Sequence, residues 1–223
     1  MEKRIFKDRV YSMLANMVKA MGNPHRLEIM DLLGLGERTV EEIASETNIS
    51  IANASQHLQV LKSVNLVTFR RQGNFIIYRL IHEDIFKSLQ TLRRLGIEHV
   101  AEIEKVVKDF REQKNSLEAL DIEELLERMN SKNVVLLDMR PVKEFANGHI
   151  PGAINIQVEE LSNKLKKLPK SKEYIAYCRG PFCVFADEAI QLLTKKGYKA
   201  KRLEQGFSDW KVKGLPVEWV IEN

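Results

Sequence analysis

Apolar side chains in the first half of the chain recur at helical spacing, then switch to the shorter runs of strands. Ile5, Met13, Leu14, Met17 and Val18 predict a helix over residues 3–20. Asn23 followed by Pro24 starts the next helix, a capping side chain and then a proline at the first helical position. Leu27, Ile29, Met30, Leu32 and Leu33 give that helix an apolar side, and Gly34 and Gly36 end it. Thr39 and Glu42 form a capping box for a short helix through Glu46, with Ile43 and Ala44 inward. After the turn Thr47-Asn48-Ile49, Ser50 caps a helix to about Val64 whose stripe is Ala54, Leu58, Leu61 and Val64. Strand-like runs at 66–70 and 75–81 flank Arg71-Gln72-Gly73-Asn74, a hairpin turn. One long helix is expected over residues 83–114, with Leu89, Leu92, Val100, Ile103, Val107 and Phe110 at roughly helical spacing. A domain of this size cannot cover such a helix, so its stripe is expected to meet a partner subunit.

Asn115-Ser116 marks a boundary. Strand-like runs at 134–138, 174–177 and 200–203 then alternate with helical ones at 121–130, 158–167 and 184–196, which predicts a parallel α/β sheet. The expected architecture is two domains. A mainly-α winged helix-turn-helix domain spans residues 1–114, and an α/β domain with a parallel sheet spans 118–223.

The length of 223 residues suits two small domains, and 44% apolar with 30% charged residues is ordinary for a globular chain. No apolar run approaches the roughly 18 residues that cross a bilayer. The charged start MEKRIFKDRV lacks the apolar core of a secretion signal, so a cytoplasmic location without membrane contact is expected. The net charge of +4 says less than its distribution. No Asp or Glu stands between Thr47 and His82, a window that holds Lys62, Arg70, Arg71 and Arg79. A phosphate-facing surface needs such a window, because a carboxylate there repels the DNA backbone.

Two helices joined by a short turn and followed by a hairpin make a winged helix-turn-helix, with the helix at 51–64 placed for the major groove. Its outward positions include Ala52, Asn53, Ser55, Gln56 and His57, where amide side chains can hydrogen-bond base edges and small neighbours allow close approach. Arg70 and Arg71 near the hairpin tip would reach phosphates or the minor groove, and Lys62 a phosphate. The stretches MGNPHRLEIMDLL, TVEEIASETNISIANASQHLQVLKSVNLV and FRRQGNFIIYRL resemble the arsenical-resistance repressor family over about the first 110 residues. That resemblance implies a homodimer, paired through terminal helices, that represses by binding a pseudo-palindromic operator in double-stranded DNA. His57 matches a position the family usually keeps, and a packing role for it stays equally open. Members that sense metals place cysteines on the helix before the recognition helix, and here that helix reads EEIASETN. His99 and Glu102 form a one-turn pair, but Phe86 and Ser88 stand where their partners would be, and two ligands do not make a tight site. No metal and no cofactor is expected.

The chain's two cysteines, Cys178 and Cys183, lie on one short segment, a placement that suits chemistry better than architecture. The motifs LLDMRPVKEFANGHIPGAINI, YCRGPFCVFADEAIQLLTKKGY and LEQGFSDWKVKGLPVE resemble the rhodanese family, in order, across nearly all of residues 118–220. Asp138 and Arg140, Gly148 through Ala153, and Gly206, Trp210, Gly214 and Pro216 match its structural positions, and His149 falls among these as a packing residue. Cys178 follows a predicted strand and precedes a helix starting near Val184. The loop of Arg179, Gly180, Pro181, Phe182 and Cys183 can curl its amides around one point, and with the helix N-terminus they would stabilise a thiolate. Such a thiolate could take sulfane sulfur from a small donor and carry it as a persulfide, with Arg179 adding positive charge. Phosphatase relatives need a longer cradle ending in Arg, whereas Val184 stands six residues after Cys178. Cys183 holds a position where sulfurtransferases often carry Arg. It is either a resolving thiol, giving a disulfide or polysulfide bridge with Cys178, or a small packing residue.

Three functions fit these residues: a sulfur-responsive transcriptional regulator, a sulfurtransferase whose DNA binding is regulated separately, and a repressor with an inactive rhodanese module. The retained cysteine speaks against the third.

Overall fold

The computed structural model describes residues 2–116, 118–129, 133–165 and 168–220. The predicted helix ends at residue 130 and residues 166–167 lie outside them. The chain divides into two compact units between Arg93 and Arg94.

The first unit opens with α1 (Lys3–Met21), α2 (Pro24–Gly34), β1 (Arg38–Thr39), α3 (Val40–Glu46) and α4 (Ile51–Ser63). The hairpin β2 (Val67–Gln72) and β3 (Phe75–Leu80) follows, and then α5 (Glu83–His99). Each helix start has its local cause. Asn23 accepts from the Arg26 amide, and Thr39 and Glu42 exchange side-chain and backbone hydrogen bonds. Ser50 Oγ accepts from the Asn53 amide at 3.2 Å. The stripe Ala54, Leu58 and Leu61 is fully buried against Ile29, Met30, Leu33, Ile43 and Tyr78. The hairpin completes an antiparallel sheet of order β1-β3-β2, leaving β2 as an edge. In α1 only Ala20 is buried, and Ile5, Phe6, Val10, Met13, Leu14, Met17 and Val18 are exposed.

The expected single helix over 83–114 is broken. Val100 takes an extended backbone, with φ −113° and ψ 100°, and caps a separate α6 (Ala101–Gln113). Gly96 permits the break: a Cβ there would stand 3.1 Å from Ile103 Cδ1, so α6 packs back against α5 at that point. His99 thus ends one helix while Glu102 lies in the first turn of the next, so the two do not share one continuous helix.

Past α6, the second unit runs β4 (Ala119–Leu120), α7 (Ile122–Met129), β5 (Val134–Asp138), α8 (Val142–Ala146), β6 (Ile154–Asn155) and α9 (Val158–Lys164). It continues with β7 (Glu173–Tyr177), α10 (Phe185–Lys195), β8 (Lys199–Leu203) and α11 (Phe207–Val212). The strands form one parallel sheet of order β4-β8-β7-β5-β6. Central β7 is buried on both faces, as parallel strands covered by helices are. Tyr174, Ala176 and Cys178 join the core with Ala189, Ile190 and Leu193, while Ile175 and Tyr177 join the opposite one with Leu125 and Trp210. The period of two along β7 therefore delivers Cys178 to the α10 side of the sheet.

Candidate functional site

Cys178 emerges at the carboxyl end of β7, the edge where open parallel sheets place their ligands. It is buried and joined to Cys183 in a disulfide, with Cα atoms 6.1 Å apart. The bond closes a ring of Cys178, Arg179, Gly180, Pro181, Phe182 and Cys183, and α10 begins one residue beyond, after Val184. Cys183 is also half-buried and packs against the core on the α10 side of the sheet.

The ring is tied down through its carbonyls. The Phe207 amide donates to Cys178 O at 2.9 Å, Ser208 to Arg179 O at 3.1 Å, and Cys183 to Gly180 O at 3.0 Å. Arg111 Nη2 donates to Pro181 O at 3.0 Å. A carbonyl engaged this way does not turn its negative end on the sulfur. Phe182 and Val184 are exposed and give the ring an apolar outer edge.

Arg179, expected to supply positive charge beside Cys178, is instead taken up by Glu144 of α8. Its guanidinium anchors the loop, and a buried carboxylate matches its charge. Asp138 and Arg140 form a second pair at 2.6 Å, and Arg140 also donates to Gly148 O and lies over the Phe207 ring. That motif braces the end of β5 against the turn and α11. His149 stacks on Phe145 at 3.7 Å and its Nδ1 meets the Phe145 carbonyl, a packing position. Burial pushes the Tyr177 hydroxyl far up, so it stays protonated while accepting from the Ile150 amide.

In the first unit, Asn53 and Gln56 are exposed on α4, and Ser55 is half-buried beside them. His57 is half-buried with its ring 5.4 Å from that of His25 on α2. Burial, then the charges of Arg26 and His25, hold His57 below the usual histidine range. Lys62 is exposed and lies over the Phe69 ring of β2, its ammonium 4.3 Å from the centroid. Arg70 is bound by Glu37 at 2.8 Å and by Gln72, whereas Arg71, on the opposite face of the strand, is exposed with no ion pair among the described residues. Glu37, which precedes the acid-free window, thus neutralises one of the two wing arginines. Among the described residues no group of three or more His, Cys, Asp or Glu could hold a metal ion, and no helix is long and apolar enough to cross a membrane.

Family models match both units: a helix-turn-helix domain over residues 21–69 and a rhodanese-like domain over residues 121–213. The HTH-type transcriptional regulator Rv0324 of Mycobacterium tuberculosis is 39% identical over 212 residues, 95% of this chain and 93% of its own. The chain belongs to the arsenical-repressor-type winged-helix transcriptional regulators that carry a rhodanese-like domain. The arsenical resistance operon repressor of Staphylococcus xylosus shares 37% identity over 33% of this regulator and 70% of its own length. A sulfurtransferase of Allochromatium vinosum shares 29% over 44% of this regulator and 92% of its own.

Several residues that hold the reactive loop of this regulator escape a reading of motifs. Glu144 lies in a short helix too brief to show a period, and Asp187 reads as an ordinary charge in a helix's first turn. Arg111 and Ser116 lie in the second unit but ahead of the rhodanese-like match.

Proposed function

We propose that this transcriptional regulator is a sulfur-responsive repressor that binds a pseudo-palindromic operator as a homodimer in the cytoplasm. The observation that carries the reading is the Cys178–Cys183 bridge at the N-terminus of α10. Asn53, Ser55 and Gln56 of α4 read base edges, Arg71 and Lys62 reach phosphates, and Arg70 shares its charge with Glu37. The exposed apolar face of α1 supplies the surface for a second copy.

The chemistry needs only the two thiols and a sulfane-sulfur donor. The Cys178 thiolate, favoured by the loop amides and the start of α10, attacks the outer sulfur of thiosulfate; the S–S bond breaks and sulfite leaves. Cys178 then carries a persulfide. The Cys183 thiolate attacks the inner sulfur, Cys178 Sγ, forming the disulfide and expelling hydrosulfide. Two thiols are oxidised and one sulfane sulfur is reduced to sulfide. No further oxidant enters, and an external thiol reopens the ring.

Reduced protein is exposed to thiosulfate or inorganic polysulfide and its intact mass and operator affinity are measured, with Cys178→Ser in parallel. The expected result is a reversible change confined to wild type, loss of two hydrogens or gain of sulfur, together with a shift in operator affinity. Identical affinity for reduced and sulfur-treated protein would refute sensing. No mass change with any donor would make the second unit a binding module.

A further inference from the structure

The reactive ring is held by a residue that precedes the rhodanese-like match but lies in the same compact unit. Arg111, on α6 and ahead of the rhodanese-like match at 121–213, donates to the Pro181 carbonyl in the middle of the ring. The same side chain lies 3.9 Å from Asp187 Oδ1, in the first turn of α10. Asp187 is buried and also accepts from Ser116 Oγ at 2.7 Å, and it faces Arg202 Nε at 3.8 Å. Arg202 in turn donates to the Ser116 carbonyl at 3.2 Å. Two guanidiniums thus share one carboxylate. Burial, with Arg111 alongside, pushes Arg202 down to about 10. Removing Arg111 leaves Asp187 paired, so the cluster does not depend on it for charge balance.

We propose that Arg111 is the positioning residue that links the sulfur state of the Cys178–Cys183 ring to helix α6, the segment through which the rhodanese half joins the winged-helix half. The contact goes to a backbone carbonyl in the ring, so opening the bridge, which frees Cys183 and relaxes residues 179–182, moves the acceptor that Arg111 holds. Clamping and ring closure then favour each other, and by reciprocity whatever weakens the clamp makes the ring easier to reduce. The broken helix at Val100 gives α6 a joint on which that difference acts. The link to operator binding rests on the sensor reading above. The effect of Arg111 on the ring does not.

The test uses the full chain. Arg111→Gln and Arg111→Lys are equilibrated in dithiothreitol buffers of graded potential, and ring closure is read by alkylation and mass. Operator affinity of closed and open forms is measured on a duplex selected from a random pool. The expected result for Arg111→Gln is a ring about tenfold easier to reduce, a midpoint some 30 mV less negative. Arg111→Lys should recover part of the shift, and the affinity difference between the two forms should shrink. If Arg111→Gln fails to fold, a smaller shift of the same sign in Arg111→Lys carries the test. A midpoint equal to wild type in a folded variant overturns the proposal while leaving the sensor reading standing. Wild type that binds operator equally well in both forms ends the sensor reading, and the midpoint shift still decides whether Arg111 positions the ring.

Discussion

Arg179 Nε stands 3.1 Å and 3.2 Å from the two carboxylate oxygens of Glu144, in a pair whose acid is almost wholly out of water. The residue beside the reactive cysteine therefore fixes the loop to α8. Removing one partner of such a pair leaves a desolvated charge, so Glu144→Gln should destabilise the second unit by about 3 kcal/mol. The double variant Glu144→Gln/Arg179→Met should recover part of the loss. Denaturant unfolding of the four members of this cycle checks both statements. Additive losses would remove the pair from the account.

Gly206 has a backbone, φ −116° and ψ −170°, that any residue adopts. Its constraint is steric instead. A Cβ would lie 2.3 Å from Gly180 N and 2.4 Å from Arg179 C and O, all main-chain atoms of the reactive ring. Gly206→Ala should therefore fold, at a cost of about 1–3 kcal/mol. It should push the ring off its position and slow sulfur loading of Cys178 by roughly 10²-fold. Circular dichroism and a time course of intact mass after thiosulfate separate the two effects. Loading at the wild-type rate would show that the ring tolerates the displacement.

These two contacts mark the limit of what sequence shows. Caps, periods and turns yield helices that carry their own signals, such as Asn23-Pro24 ahead of α2 or Ser50 ahead of α4, and the alternation of strands and helices yields the parallel sheet. Strands of two residues, such as β1 and β4, have no period to read. The break at Val100 depends on Ile103 packing at Gly96, a tertiary choice that overrides an unbroken helical pattern. The same holds at the site. Cys178 and its loop stand out in the chain. Glu144, Asp187 and Arg111 act only because the fold brings them there, across separations of 35 residues for Glu144 and 70 for Arg111.

The wing and α4 divide DNA recognition between unequal residues. Arg71 has no acid partner among the described residues, so Arg71→Ala should weaken binding to all duplexes alike and lower the salt slope by about 1. Arg70→Ala should do less, because Glu37 already offsets its charge. Gln56→Ala should cost about 1–3 kcal/mol on the selected operator and little on other duplexes. Fluorescence anisotropy at several salt concentrations tests all three. A larger salt effect at Arg70 than at Arg71 would contradict the assignment.

Nothing among the described residues of the chain covers most of the apolar face of α1. Leu14→Glu places a charge in the middle of that face, on a side chain already exposed, and should leave the fold of the single chain intact. If the face pairs two copies, sedimentation should show monomers, and operator affinity should fall by roughly 10²-fold as two linked half-sites become one. A dimer that persists in Leu14→Glu would move the pairing surface elsewhere.

His57 gives the first unit a pH dependence whose sign is fixed. Burial, with Arg26 and His25 nearby, lowers its affinity for a proton in the folded state, so near the ordinary value of 6.5 the unfolded chain binds more protons. Stability is then greatest above that value and falls as the pH drops through it, levelling off once the folded protein also takes up the proton. Glu28 works in the opposite sense at lower pH, because burial raises its carboxyl from the ordinary 4.5 and the folded state holds its proton more readily. His57→Asn should flatten the loss between about pH 8 and pH 5 and leave the acid limb below it. Thermal unfolding followed across that range decides the matter. A slope unchanged by the substitution would assign the dependence to another group.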